Sequence, residues 1–212
     1  MNLWQHPNFR LSWLGKMVSL FGTDISGLAI PTAALYLLHA NSAQIGILQG
    51  AQGVAFLVLS LPVGVWVDRL PRRPLLIFSD LARALLLAII PLCVWQGHLT
   101  MGVLIGVGVL VGAFTVCFRV AERAFLPSIV TRDELVAANS AISASEAIAE
   151  ITGPALAGTL VQLLTAPIAI LVDSLSYLFS AFCFWKIKVS EDTLQTEEHP
   201  EGWAAMLEGV CA

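Results

Sequence analysis

Charge is scarce in this sequence: 12% of its 212 residues are Asp, Glu, Lys or Arg, whereas 57% are hydrophobic and the mean hydropathy is +0.80. Such a chain cannot hide its apolar surface in one water-soluble core, so the bilayer must be its solvent. Cysteine is rare as well. Cys93, Cys117, Cys183 and Cys211 have no metal-ligand spacing, and three of them lie in apolar runs where a thiol acts as a small hydrophobe. Neither a disulfide nor a metal is expected. His6, His39, His98 and His199 fall in tails or loops and form no ligand cluster. No Gly-rich loop ends in Gly-Lys-Ser or Gly-Lys-Thr, which excludes ATP drive within this chain, and no cofactor is expected. The buried polar residues offer no nucleophile beside a base, which argues against an intramembrane enzyme. The formal net charge of −4 arises largely from Glu191, Asp192, Glu197, Glu198, Glu201 and Glu208 in the tail, so it is no sign of a nucleic-acid partner.

Basic residues are missing from every second gap between the apolar runs. Six runs can be cut, at 17–38, 45–67, 75–95, 101–120, 141–164 and 168–186, each near the roughly 20 residues that cross the hydrocarbon. They must be helices, because backbone polar groups find no water in lipid and a barrel would show short alternating segments instead. The fold class is therefore an all-α, polytopic bundle of six transmembrane helices. Arg10 and Lys16 precede the first run, Arg69, Arg72 and Arg73 fill the second gap, Arg119, Arg123 and Arg132 the fourth, and Lys186 and Lys188 follow the sixth. Short loops rich in Lys and Arg stay in the cytoplasm, so both termini are expected on the inner side of the cell membrane. The first run lacks a compact basic region before it and a small-residue cleavage site after it, so it is expected to remain as a span.

Three parts follow: a cytoplasmic amphipathic N-terminus at 1–16, a six-helix transmembrane domain at 17–188, and an acidic cytoplasmic tail at 189–212. The outer connections at 39–44, 96–100 and 165–167 leave no room for an extracellular domain. In the fourth gap, Thr131 and Glu134 are spaced as a capping box that would open a surface helix. Gly46 and Gly50, Gly102 and Gly106, and Gly108 and Gly112 are spaced for close helix contact, and Trp13, Trp66, Trp95 and Trp185 for interface anchoring.

Ionisable groups at membrane depth are costly, so each one is a functional candidate. Asp24 lies in the first run near Gly22, Gly27 and Pro31, and is expected to be a cavity or proton-linked carboxylate. Asp80 and Arg83, three apart in the third run, share a helical face and are expected to form a structural ion pair. In the fifth run Asn139, Ser143, Glu146, Glu150 and Gly153 form one polar stripe that cannot face lipid. The like charges of Glu146 and Glu150 oppose simultaneous ionisation, which suits proton coupling. Glu146 has an equal alternative in pairing with Arg83, Arg119 or Arg123. Asp173 reads as a structural contact to a neighbouring helix, and Gln49 and Gln52 as cavity or packing groups.

The second gap, Gly64-Val-Trp-Val-Asp68-Arg69-Leu-Pro-Arg72-Arg73, resembles the signature loop between spans two and three of the major facilitator superfamily. That resemblance implies the amino-terminal six-span half of a transporter. Gly64, Asp68, Arg69, Arg72 and Arg73, with Glu122 as their acidic partner, would form a conformational latch; the alternative is that the arginines only anchor topology. Pro71 stands where the family usually has Gly, and proline cannot adopt positive φ, so this turn must differ locally.

Asn8-Phe9-Arg10, Asp80 with Arg83, Arg123-Ala-Phe-Leu-Pro127 and Ala138-Asn139-Ser140 are similar to the exporter branch that includes enterobactin exporters and macrolide efflux proteins. Gly153, Pro154 and Gly158 resemble the Gly-Pro motif of drug antiporters, where the helix bends, with Ser145 in place of an earlier Gly. The implied function is proton-coupled export of small amphiphilic molecules such as drugs or siderophores. The expected partners are the lipid bilayer, a small-molecule substrate, and either a second six-helix half or a copy of this chain, because such cavities form between two halves. A truncated or split gene product is expected over a half-transporter that pairs with itself or with a second chain. The rival reading is a non-transporting scaffold or inactive fragment.

Overall fold

The computed structural model describes residues 3–67 and 70–188, with residues 55–67 described as backbone only. Asp68 and Arg69 of the signature loop, and the acidic tail, lie outside the described residues; Gly64 lies within the backbone of the second helix. Six long helices follow one another: α1 Pro7–Leu37, α2 Ser42–Val67, α3 Arg72–Trp95, α4 Met101–Phe125, α5 Leu135–Leu164 and α6 Ala166–Lys186. The first helix begins at Pro7, well before its apolar run, because Pro fits the first helical turn where its missing N–H costs nothing. Likewise α5 starts ahead of its run. Thr131 and Glu134 form the expected capping box around a 3-10 turn, Arg132–Glu134, that leads directly into α5.

The connections are set by local polar chemistry. Asn41 and Gln44 exchange side-chain to backbone hydrogen bonds, each 2.9 Å, which satisfy free N–H groups at the start of α2. Thr100 caps α4 by accepting from the Val103 N–H. Gly97, at φ 71°, turns the chain between α3 and α4. Pro31, Pro91 and Pro154 sit inside helices, as bilayer-spanning helices tolerate.

At one end of the bundle, here the near end, the start of α1 meets the start of α5 and the end of α6. His6 Nε2 lies 3.1 Å from Glu134 Oε1, and the Asn8 amide donates to the Lys188 carbonyl. At the far end the last turn of α1 meets the α5–α6 connection around Thr165.

α1 packs on α6 and α5, and α6 in turn packs on α3. Its seam toward α6 consists of small residues three or four apart, Gly15, Ser19, Gly22, Ser26, Ala29 and Ala33, all buried. The facing helix answers with Ala169, Asp173, Ser176, Ser180 and Cys183 at the same intervals. In lipid no hydrophobic force pulls helices together, so close approach through small residues supplies the dispersion contacts that do. A Cβ at Gly15 would stand 3.0 Å from the Cys183 Cβ, the closeness this seam allows.

The glycine pairs singled out by spacing correspond poorly to this packing. Among the described residues, Cβ atoms added at Gly46, Gly50 or Gly106 would meet nothing within 4 Å, and Gly102 only its own Thr100, whereas Gly108 lies against Gln52. Two apolar clusters fill the interior. One at the near end is built on Phe9, Leu76, Phe118, Phe125 and Phe184, and the other runs through Ile25, Leu87, Leu104 and Ile170.

The outside of the bundle is apolar. Leu85, Ile151 and Leu163 are 69%, 79% and 74% exposed, which a water-soluble monomer would not carry among so many others. Among the described residues, five helical stretches are long and apolar enough to cross a membrane: Pro7–Leu37, Arg72–Trp95, Met101–Ser128, Arg132–Leu164 and Ala166–Lys186. The remaining helix, α2, is 26 residues long.

Candidate functional site

A cavity of about 340 Å³ opens among α1, α3, α4 and α5 toward the near end, and its walls are charged. Lys16, Arg83, Arg119 and Arg123 line it, opposed by Asp24, Glu122, Glu146 and Glu150. Equal numbers of both signs let the chain hold this many charges at membrane depth.

Lys16 is its junction. The ammonium lies 2.9 Å from Glu122 Oε2 on α4 and 2.8 Å from Glu146 Oε1 on α5, so one cation ties three helices together. The two acids differ in access. The Glu122 side chain is 9% exposed and that of Glu146 47%, which makes Glu146 the releasable arm. The sequence pairs Glu122 with Arg72 and Arg73 and gives Lys16 only a topological role; among the described residues Glu122 forms an ion pair with Lys16.

Arg72 and Arg73 meet helix ends. Arg72 donates to the Ala124 carbonyl at 3.0 Å, and Arg73 donates to the carbonyls of Phe184, at 3.1 Å, and Trp185. Cations suit these positions, since the last carbonyls of α4 and α6 carry the negative end of the helix dipole. Arg73→Ala is expected to lower unfolding stability by about 1.5 kcal/mol, as loss of charged hydrogen bonds does, and a detergent melting curve would measure it.

Asp24 fits against α5 through a missing side chain. A Cβ on Gly153 would stand 2.1 Å from Asp24 Oδ2, an oxygen with no hydrogen-bond partner among the described residues. Glu150 lines the same cavity and repels Asp24. Gly153→Ala is therefore expected to destabilise the chain by about 1–3 kcal/mol. The loss should shrink sharply in an Asp24→Ala background, because the obstructing carboxylate is gone; equal losses in both backgrounds would contradict this contact.

Arg83 is fully enclosed. Its guanidinium pairs with Asp80 and stacks 4.4 Å from the Phe118 ring centre and 4.2 Å from that of Tyr177, joining the two apolar clusters. Trp13 donates its indole N–H to Ser145 Oγ at 3.0 Å, so the serine that stands in place of a motif glycine fastens α5 to α1. Pro154 lies inside α5, and Gly158 lines an apolar groove of about 510 Å³ between α1 and α5 at the far end.

A smaller cavity of about 190 Å³ lies deeper, and Thr23, Thr115 and Arg119 line both spaces. Sequence reasoning missed two features of this region: the Lys16 junction, and the small-residue seam whose spacing was visible in α1.

Comparison with known proteins adds a family. A model described as Major Facilitator Superfamily matches residues 12–209. Two curated relatives of Bacillus subtilis (strain 168) are both named uncharacterized MFS-type transporters: YvqJ is 23% identical over 198 residues and YfiS 26% over 196. Each match covers 92% of this chain but 46% and 45% of the respective relative, so the chain spans about half the length of the curated relatives it matches.

Proposed function

This chain belongs to the major facilitator superfamily, and we propose that it forms one six-helix half of a proton-coupled exporter of small amphiphilic molecules. The observation that carries the reading is the balanced, charged cavity among α1, α3, α4 and α5, which has no purpose in a structural bundle that could bury apolar residues there instead. In this reading the near end faces the cytoplasm, both termini lie on that side of the inner membrane, and the exporter falls in the enterobactin and macrolide efflux branch. The cavity is completed by a second six-helix half or by another copy of the chain.

Asp24, Glu146 and Glu150 exchange protons in this mechanism. A proton on Glu146 weakens its hold on Lys16, while the more enclosed Glu122 keeps the ammonium, so α5 is freed from α1 and α4 at the near end. The signature-loop residues Gly64, Asp68, Arg69, Arg72 and Arg73 bias the same rearrangement as a latch, with Glu122 inside it. Gly153, Pro154 and Gly158 let α5 bend as it moves.

The test is fluorescent-dye accumulation in cells expressing the chain, with and without a proton uncoupler. Lower accumulation than in empty-vector cells, reversed by the uncoupler and by Glu150→Gln, is expected. Accumulation equal to empty vector under all conditions, with this chain alone and with a second six-helix half supplied, would overturn the reading and favour a scaffold.

A further inference from the structure

Asp173 of α6 is fully buried and has no part in the cycle above. Its Oδ1 accepts a hydrogen bond from Ser176 Oγ at 3.0 Å, whereas its Oδ2 has no partner among the described residues. The Ser26 hydroxyl on α1 lies beside this carboxyl and also lacks a hydrogen-bond partner. The space is shaped for the acid: a Cβ on Gly22 would stand 2.2 Å from Asp173 Oδ1 and 2.1 Å from Ser176 Oγ. Asp173 and Ser26 both line the smaller cavity, and Thr23, Thr115 and Arg119 stand between it and the charged one, lining both.

The charges facing Asp173 come from every helix around it. Arg83 approaches from α3, Asp24 from α1 and Arg119 from α4, with Tyr177 one turn along α6. Arg83 is directed at Asp80 and held between two rings. An ionised Asp173 thus has one short hydrogen bond and one bare oxygen. Ser26 can donate to the ionised oxygen or accept from the protonated one, so the hydrogen bond is open to both forms; full burial, which strips the charged form of its hydration, favours the neutral acid, whose O–H on Oδ2 donates to Ser26 Oγ. A hard metal cation would require more oxygen ligands than these two atoms supply.

We propose that Asp173 is a proton-binding site, with Ser26 accepting the hydrogen bond of the neutral acid, and that the smaller cavity carries the proton between this site and the charged cavity. The coupling role deepens the export reading and rests on it. Proton binding at Asp173 does not.

Infrared difference spectra of the full chain in lipid, recorded between acidic and alkaline pH, test the site. A carboxylic-acid C=O band is expected at acidic pH, lost on raising the pH and absent in Asp173→Asn of wild-type helical content. Ser26→Ala should shift that band to higher frequency by removing its acceptor. Acid bands unchanged in a folded Asp173→Asn, or a band position unmoved by Ser26→Ala, would overturn the proposal; if Asp173→Asn does not fold, the Ser26→Ala shift decides. A band that behaves as expected in a chain that moves no dye would uphold the site and sink the export reading alone.

Discussion

Arg83→Leu should destabilise the chain by about 3–5 kcal/mol, because it strands Asp80 as a buried carboxylate without its partner. The same change removes a guanidinium stacked on Phe118 of the near apolar cluster and on Tyr177 of the far one. Three comparisons separate these causes in detergent unfolding. The double change Arg83→Leu with Asp80→Leu should recover most of the loss, since both charges leave together. Arg83→Lys should fall between, keeping the charge but losing the planar stack. No recovery in the double variant would show that the pair is not what holds this layer together.

Lys16→Met should be of similar size, about 3–5 kcal/mol, because Glu122 is then enclosed without its cation and Glu146 loses its anchor. The two acids are not equivalent. Adding Glu122→Gln to Lys16→Met should restore stability substantially, while adding Glu146→Gln should restore little, since Glu146 is already half in contact with solvent. Equal rescue by both would contradict the distinction between a held arm and a releasable one.

Much of the fold can be read from the sequence because lipid leaves few alternatives. A run near 20 apolar residues must be a helix, and the alternation of basic gaps orders the path. The ends of α1 and α5 extend beyond their runs because helix propagation continues through Leu11-Ser12-Trp13-Leu14 and Leu135-Val136-Ala137 until a cap or proline stops it, whereas hydropathy marks only the part within lipid. Asp80 and Arg83 meet within one helix, so a three-residue spacing suffices to suggest their contact.

Lys16 with Glu122 and Glu146 is different in kind. These groups are distant in sequence, and their meeting depends on how three helices rotate and cross, which no spacing encodes. Glycine spacing was an incomplete guide for a related reason. The α1–α6 seam mixes Gly with Ser, Ala, Cys and Asp, and a pattern of small size is harder to see than a pair of glycines.

The most direct test of the central claim is side-specific thiol labelling in a chain freed of its native cysteines. A single cysteine replaces either Glu150, at the charged cavity, or Tyr36, which is 71% exposed beside the far-end groove. With a membrane-impermeant maleimide, the cysteine at 150 should react in inverted vesicles and not in intact cells, and the cysteine at 36 the other way round. Labelling of position 150 in intact cells, with position 36 reached only in inverted vesicles, would reverse the bundle in the membrane and contradict a cavity that loads from the cytoplasm.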